Sequence, residues 1–400
     1  MIPRQLALRL LAALAAVLFA SAAFADDRPG NVVVFGGTLS LSGRYAEPAK
    51  RYLSVFRLYV DELNERGGLL GRKVELRILD DKSDRRTAIE LYEKLITVDK
   101  VDLLLPPYSS WLDDAVANVM ERYKRPFIAS GAAKAIWERE RRYVFSAPIT
   151  NLHDYQYGSL SIAKEIGIKR IAIIGEGSLA PAQITGGTSE WAKKLGLEVV
   201  FVQSYRKDQK DFTALLKAVE ASGAEAIFSN SFYAGAVAQL RQMRQLNINT
   251  KMFAATVAPA IPKFVKELGG TAEFALGFSQ WEAKLALGHP GIKEFIDHYE
   301  KRYGAKPNYH VAKGYAIMQV LEAAVKQVGS FDPQKLRDAL ASITVETVMG
   351  PWKADAQGMC TIPGLTIQIQ KGQRVIVWPK DKAEAKYILP MPRWDERPKS

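Results

Sequence analysis

The chain has 400 residues, 48% hydrophobic and 24% charged, with 55 Lys and Arg against 43 Asp and Glu for a net charge of +12. That much apolar material builds large cores and excludes a peptide hormone or a disordered tail. One cysteine, Cys360, excludes an internal disulfide and a cysteine-rich zinc site, and four histidines leave little for metal chemistry.

At the start, Arg4 and Arg9 precede the apolar run 10–20, and Ala23-Phe24-Ala25 offers small residues for cleavage ahead of Asp26. This reads as a secretory signal peptide cut after Ala25, too short to span a bilayer. A soluble, periplasmic chain is expected, without a lipid anchor on the new N-terminus because no cysteine stands directly after the cut.

The remainder alternates strands and amphipathic helices. Residues 31–36 are a buried strand, and 50–65 place Leu53, Phe56, Val60 and Leu63 mainly on one helical face before Gly67, Gly68 and Gly71 end the helix. A strand follows at 74–79, then a helix capped by Ser83-Asp84, a third unit at 101–105 and 111–123, and short strands at 126–129 and 144–145. After Pro148 the pattern restarts with strand 170–174, helix 189–195, strand 199–202, helix 215–219 behind Asp211-Phe212, and strands 226–229, 252–255 and 274–278. The helices at 290–303, 309–328 and after Asp332-Pro333 have no strand beside them and are expected to pack back on the first lobe. Residues 361–370 and 374–378 flank Lys371-Gly372-Gln373 as a hairpin.

This order predicts an α/β protein of two Rossmann-like lobes with parallel sheets, joined by a three-crossover hinge. Residues 26–146 plus 282–345 make lobe 1; 147–281 plus 346–400 make lobe 2. A cleft between the C-terminal ends of the two sheets is the expected ligand site.

Other chemistries are poorly supported. Gly175-Glu-Gly177-Ser-Leu-Ala180 matches a dinucleotide fingerprint, but Pro181 and Gly186-Gly187 disturb the helix start, and Gln203 stands where a ribose-binding acid belongs. No G-x-S-x-G elbow is present. His153 and His298 sit beside Asp154 and Asp297 in helical or polar contexts, and the pairs Asp80-Asp81 and Asp113-Asp114 point to different faces. The basic run Arg139, Arg141, Arg142 is interleaved with Glu138 and Glu140, a solvated surface. We expect no enzyme, no metal, no cofactor and no nucleic-acid partner.

Leu41-Ser42-Gly43 with Tyr45, the run 64–72, Leu79-Asp80-Asp81-Lys82-Ser83-Asp84, Tyr108-Ser109-Ser110, Lys210-Asp211-Phe212, Gly358 and Lys371-Gly372 occur in an order that resembles the type I periplasmic binding proteins of the leucine/isoleucine/valine-binding family. The resemblance covers essentially all of the chain after the leader. It implies hinge closure on a small solute that is passed to the membrane permease subunits of an ABC importer, by a monomer. It places the ligand carboxylate on Ser109, Ser110 and the loop Ser130, Gly131, Ala132 and Ala133. The residue types fit, since a helix start offers N–H groups and hydroxyls to an anion. An N-cap role is the alternative for Ser109 or Ser110.

Departures from the family pattern narrow the ligand. Ala133 stands where amino-acid binders carry a threonine, Thr256 where they carry an acid, and Ala180, followed by Pro181, where they carry an aromatic. A buried ammonium without an acceptor costs several kcal/mol, which favours an apolar or aromatic carboxylate over a branched-chain amino acid. Glu176 or Glu282 supplies the acid if the alignment slips. Tyr45, Tyr108, Trp111, Phe232, Tyr233 and Trp281 are the candidates to sandwich the ligand body, with core packing the alternative for each. A ligand sensor that reports occupancy to a membrane receptor is the rival to a transport role.

Overall fold

The computed structural model describes residues 32–286 and 291–397; the leader and the cut expected at Ala25 lie outside them. Strands β1 (Val32–Leu39), β2 (Lys73–Asp80) and β3 (Leu103–Leu105) form a parallel sheet in the order β2-β1-β3, and β4 (Phe127–Ala129) pairs in parallel with β5 (Val144–Ser146). Helices α1 (Ala46–Glu65), α2 (Arg85–Thr97) and α3 (Ser110–Tyr123) make the crossovers. Almost all of β1 is buried, as a central parallel strand requires. Asp84 alone caps α2, accepting the Thr87 N–H at 2.8 Å. Ser83 lies at φ 61° and ties the loops instead, accepting from the Tyr45 N–H and donating to the Ser42 carbonyl.

After β6 (Pro148–Ile149) the chain builds a second sheet. In it β7 (Arg170–Glu176), β8 (Glu198–Tyr205), β9 (Ala226–Asn230), β10 (Met252–Ala255) and β11 (Leu276–Ser279) run parallel. Among its helices are α4 (Tyr157–Glu165), α5 (Leu179–Leu195), α6 (Thr213–Ala221) and α7 (Tyr233–Gln245). The sequence reading missed α4 and α7, whose glycines, serines and glutamines blur the apolar period; Gly235 and Gln239 of α7 are buried. It also began α5 ten residues late. Pro181 falls in the first turn, where no intrahelical N–H is needed. Gly187 belongs inside the helix because a Cβ there would lie 2.3 Å from the His153 carbonyl oxygen.

Three later helices, α8 (Ile292–Tyr303), α9 (Tyr309–Val328) and α10 (Pro333–Leu340), pack against the first lobe, as expected from their lack of strands. Gly314 lets α9 approach α1 closely, since a Cβ there would sit 2.5 Å from Val55. Tyr315 donates to Glu62 at 2.7 Å, and the Ser54 and Tyr299 hydroxyls lie 2.9 Å apart.

The tail forms a hairpin, β12 (Val345–Thr347) with β13 (Gly350–Trp352), then β14 (Cys360–Thr361), β15 (Leu365–Gln370) and β16 (Gln373–Trp378). Strands β15 and β16 join through Lys371 (φ 52°) and Gly372 (φ 70°), the positive pair that a tight hairpin turn requires. They extend the second sheet antiparallel, to the order β16-β15-β11-β10-β9-β7-β8. Strand β14 pairs in parallel with β6, so two passages between the lobes lie side by side. No helix among the described residues is long and apolar enough to cross a membrane.

Candidate ligand-binding site

A cavity of about 60 Å³ opens between the lobes, where β3, β4, β9 and β10 end. A single water needs about 10–15 Å³, so the space as it stands is that of a few waters, and a larger solute requires the lobes to part. Of the expected residues, Tyr108, Ser109, Ser110, Ser130, Gly131, Ala132, Phe232 and Thr256 line it, together with Ala180 and Pro181.

Ser109 is held at φ 100°, strained for a non-glycine residue, and its hydroxyl oxygen faces the Leu112 N–H at 3.5 Å as the N-cap of α3. Ser110 does something different. Its oxygen accepts the N–H groups of Ala132 and Ala133, both at 3.1 Å, which leaves its own proton to donate. Loop N–H groups that the sequence offered to a ligand are therefore satisfied by Ser110, and the hydroxyl is presented in their place. Gly131 makes this packing feasible: a Cβ there would lie 2.6 Å from the Ser110 Cα and 2.8 Å from the Asp113 carboxylate.

Asp113, fully buried one turn into α3, accepts from the Ser130 hydroxyl at 2.9 Å and the Gly131 N–H at 2.6 Å. Burial pushes its carboxyl up to about 8, against these hydrogen bonds and the nearby Lys313. Asp113 does not line the cavity, and among the described residues no other carboxylate does. Thr256, at the position of the family's acid, donates its hydroxyl to the Ser231 carbonyl at 2.7 Å.

The remaining expected residues lie off the cavity. Tyr45 is fully buried behind it, its ring centroid 6.0 Å from that of Tyr108 and 5.0 Å from that of Phe232. Ala133 contributes its N–H to Ser110. Trp111 is 38% exposed at the rim, with the Arg85 guanidinium 4.7 Å from its ring. The Tyr233 hydroxyl bonds Glu267, and the Trp281 indole donates to the Val348 carbonyl while its ring packs edge-on against Phe295. Glu176 pairs with Arg44 and Glu282 with Arg374, at 2.8 and 3.4 Å.

Sequence reasoning missed the wall supplied by α1, α9 and the turn after β6. Tyr52, Tyr155, Tyr309, His310 and Lys313 all line the cavity. His310 faces the Tyr108 hydroxyl at 3.1 Å; burial, followed by the positive charges of Lys313, Arg51 and Arg374, keeps it neutral. Lys313 is only 3% exposed, and burial lowers its ammonium to about 7, against Asp113. One signal was available: Lys313 interrupts the buried stripe of α9 that runs through Tyr309, Ala316, Ile317 and Val320.

The family model described as "periplasmic binding protein" matches residues 32–371, nearly the whole of this architecture. The chain is a type I periplasmic binding protein. It is 27% identical over 409 residues to the Leu/Ile/Val-binding protein homolog 7 of Brucella suis, an alignment covering 95% of this chain and 99% of that protein. Among solved structures, LivJ from Streptococcus pneumoniae in complex with isoleucine superposes with a TM-score of 0.79 at 21% identity, covering 90% of this chain and all of that one. A solute-binding protein of an ABC transporter from R. palustris in complex with benzoate gives 0.77 at 20% identity, covering 86% and 95%. At such identities the superpositions establish the fold. The family of this binding protein consists of solute binders, not enzymes.

Proposed function

We propose that this binding protein is the periplasmic solute-capturing component of an ABC importer, exported with cleavage after Ala25 and working as a monomer. Its ligand is a small organic acid, with an aromatic or apolar carboxylate preferred over a branched-chain amino acid. The observation that carries this reading is the lining of the cavity: hydroxyls, tyrosines, apolar side chains, His310 and Lys313 surround it, and among the described residues no carboxylate faces it to hold an ammonium.

Ser110 donates to the ligand carboxylate, the Ser130 to Ala133 loop holds Ser110 in place, and Tyr108, Phe232 and Tyr155 enclose the ligand body. Residues 26–146 plus 282–345 move as one lobe against 147–281 plus 346–400, and the permease recognises the closed form through its differential stability with ligand. Relatives named for leucine, isoleucine and valine, and structural neighbours holding isoleucine and benzoate, support a ligand of this size.

A thermal-shift panel of α-amino acids against aromatic and aliphatic carboxylates tests the reading. At a hundredfold excess over Kd a true ligand adds about 2.7 kcal/mol, a rise in Tm on the order of 5 °C. The carboxylates are expected to give it; a shift with leucine or isoleucine and none with the aromatic acids overturns the ligand preference.

A further inference from the structure

We propose that Lys313 supplies the positive charge that holds the ligand carboxylate, and that the same charge turns α-amino acids away. The assignment rests on the carboxylate reading above and names the residue that enforces it.

Lys313 lines the cavity at 3% exposure, and among the described residues its ammonium makes no hydrogen bond or ion pair. The Tyr309 ring, with its centroid 5.8 Å away, is its close aromatic neighbour. Asp113 acts on it through space: Oδ2 of that carboxylate is committed to Ser130 and Gly131, Oδ1 is buried without a hydrogen-bond partner, and the group stands behind the lining, forming no direct ion pair with Lys313. A buried cation without a hydrogen-bonded anion is costly, and here that cost is offset only in part, by the field of Asp113 and a lowered ammonium pKa. A ligand carboxylate entering beside Ser110 provides the missing anion, and a charge-assisted hydrogen bond to Lys313 forms in a site with little water.

The same position penalises an ammonium. An α-amino acid would bring a second cation toward Lys313, in a cavity where the Thr256 proton is already donated and no acid among the described residues is within the lining. Like charges in a low-dielectric space repel strongly. The ligand class that satisfies Lys313 is therefore a monocarboxylate without an amine, carried on a ring or a short branched chain that the tyrosines and Phe232 enclose.

Titration calorimetry of the wild type and Lys313→Met with benzoate, benzamide and leucine as probes tests the assignment. Benzoate should bind the wild type and lose about 10- to 100-fold in affinity in the variant, the value of a hydrogen bond to a charged group; any affinity for benzamide should not fall. The ligand-free variant should melt no lower than the wild type, because a buried charge has been removed; if it folds poorly, Lys313→Gln takes its place. Unchanged benzoate affinity in the variant overturns the role of Lys313 and leaves the carboxylate reading standing. A wild type that binds leucine, or fails to bind benzoate, overturns that reading and the role together.

Discussion

Asp113 and Lys313 set opposite limits on the charge of the site. Burial raises the carboxyl to about 8 and lowers the ammonium to about 7, so near neutrality both hover between charged and neutral forms. The other titratable groups facing them stay uncharged there: His310 is driven down by burial, and Tyr52, Tyr108, Tyr155 and Tyr309 are driven up by it. A bound carboxylate raises the Lys313 pKa above its ligand-free value, so binding takes up a proton at and above pH 7. Affinity for benzoate should thus be fully present below about pH 7 and fall as pH rises past it, by up to about tenfold per pH unit. Ionisation of Asp113 above about pH 8 acts in the same direction. Affinities measured from pH 6 to 9 check this; a flat profile counts against a titrating lysine at the ligand.

At the level of elements, α5 shows why breakers in a sequence do not always break. Pro181, Gly186 and Gly187 seemed to exclude a helix before residue 189, yet the helix runs through all three: the proline sits in a turn with no bond to lose, Gly187 packs against the His153 backbone, and Gly186 faces open space. Gly187→Val should push α5 from the turn after β6 and cost about 1–3 kcal/mol, seen as a lower denaturant midpoint; an unchanged midpoint would mean the contact is slack. Helix α9 carries the opposite lesson. Its pattern was plain and its boundaries were read correctly, but periodicity says which face is buried and not what that face meets. Tyr309 and Lys313 meet the cavity because α9 returns to the first lobe after the chain has laid down the five parallel strands β7 to β11 of the second sheet.

Across the whole molecule, the two lobes touch directly at the mouth of the cleft. Arg44, after β1, pairs with Glu176 at the end of β7 at 2.8 Å and lies 4.4 Å from the Tyr45 ring centroid. The Lys134 N–H donates to Gln183 at 2.8 Å, and Lys263 approaches Glu47 at 3.3 Å. The Glu176 side chain is only 5% exposed, so its pair with Arg44 ranks between a surface bridge and a buried one. Removing it by Arg44→Ala should destabilise the closed form by about 1–2 kcal/mol. Small-angle scattering of the ligand-free variant should then show a larger radius of gyration, restored by saturating ligand. An unchanged scattering profile would show that these contacts do not hold the lobes together.

Much of this was legible along the chain. Alternating apolar runs determine parallel strands and their crossovers, because a strand buried on both faces has few other solutions, and the fold class followed. Ser109 and Ser110 were also within reach, since ligands in such sheets meet the strand ends and the loops after them, and the family resemblance pointed to the loop of which Ser130, Gly131 and Ala132 line the cavity. Hidden from that reading were the partners: that the Ser110 oxygen consumes the loop N–H groups, that Tyr233 and Trp281 turn to other contacts, and that Lys313, 203 residues after Ser110, lines the same cavity with no hydrogen-bonded anion among the described residues. Local patterns encode which residues are buried, whereas the charge balance of a cleft depends on which distant segments close around it, and that is decided by packing.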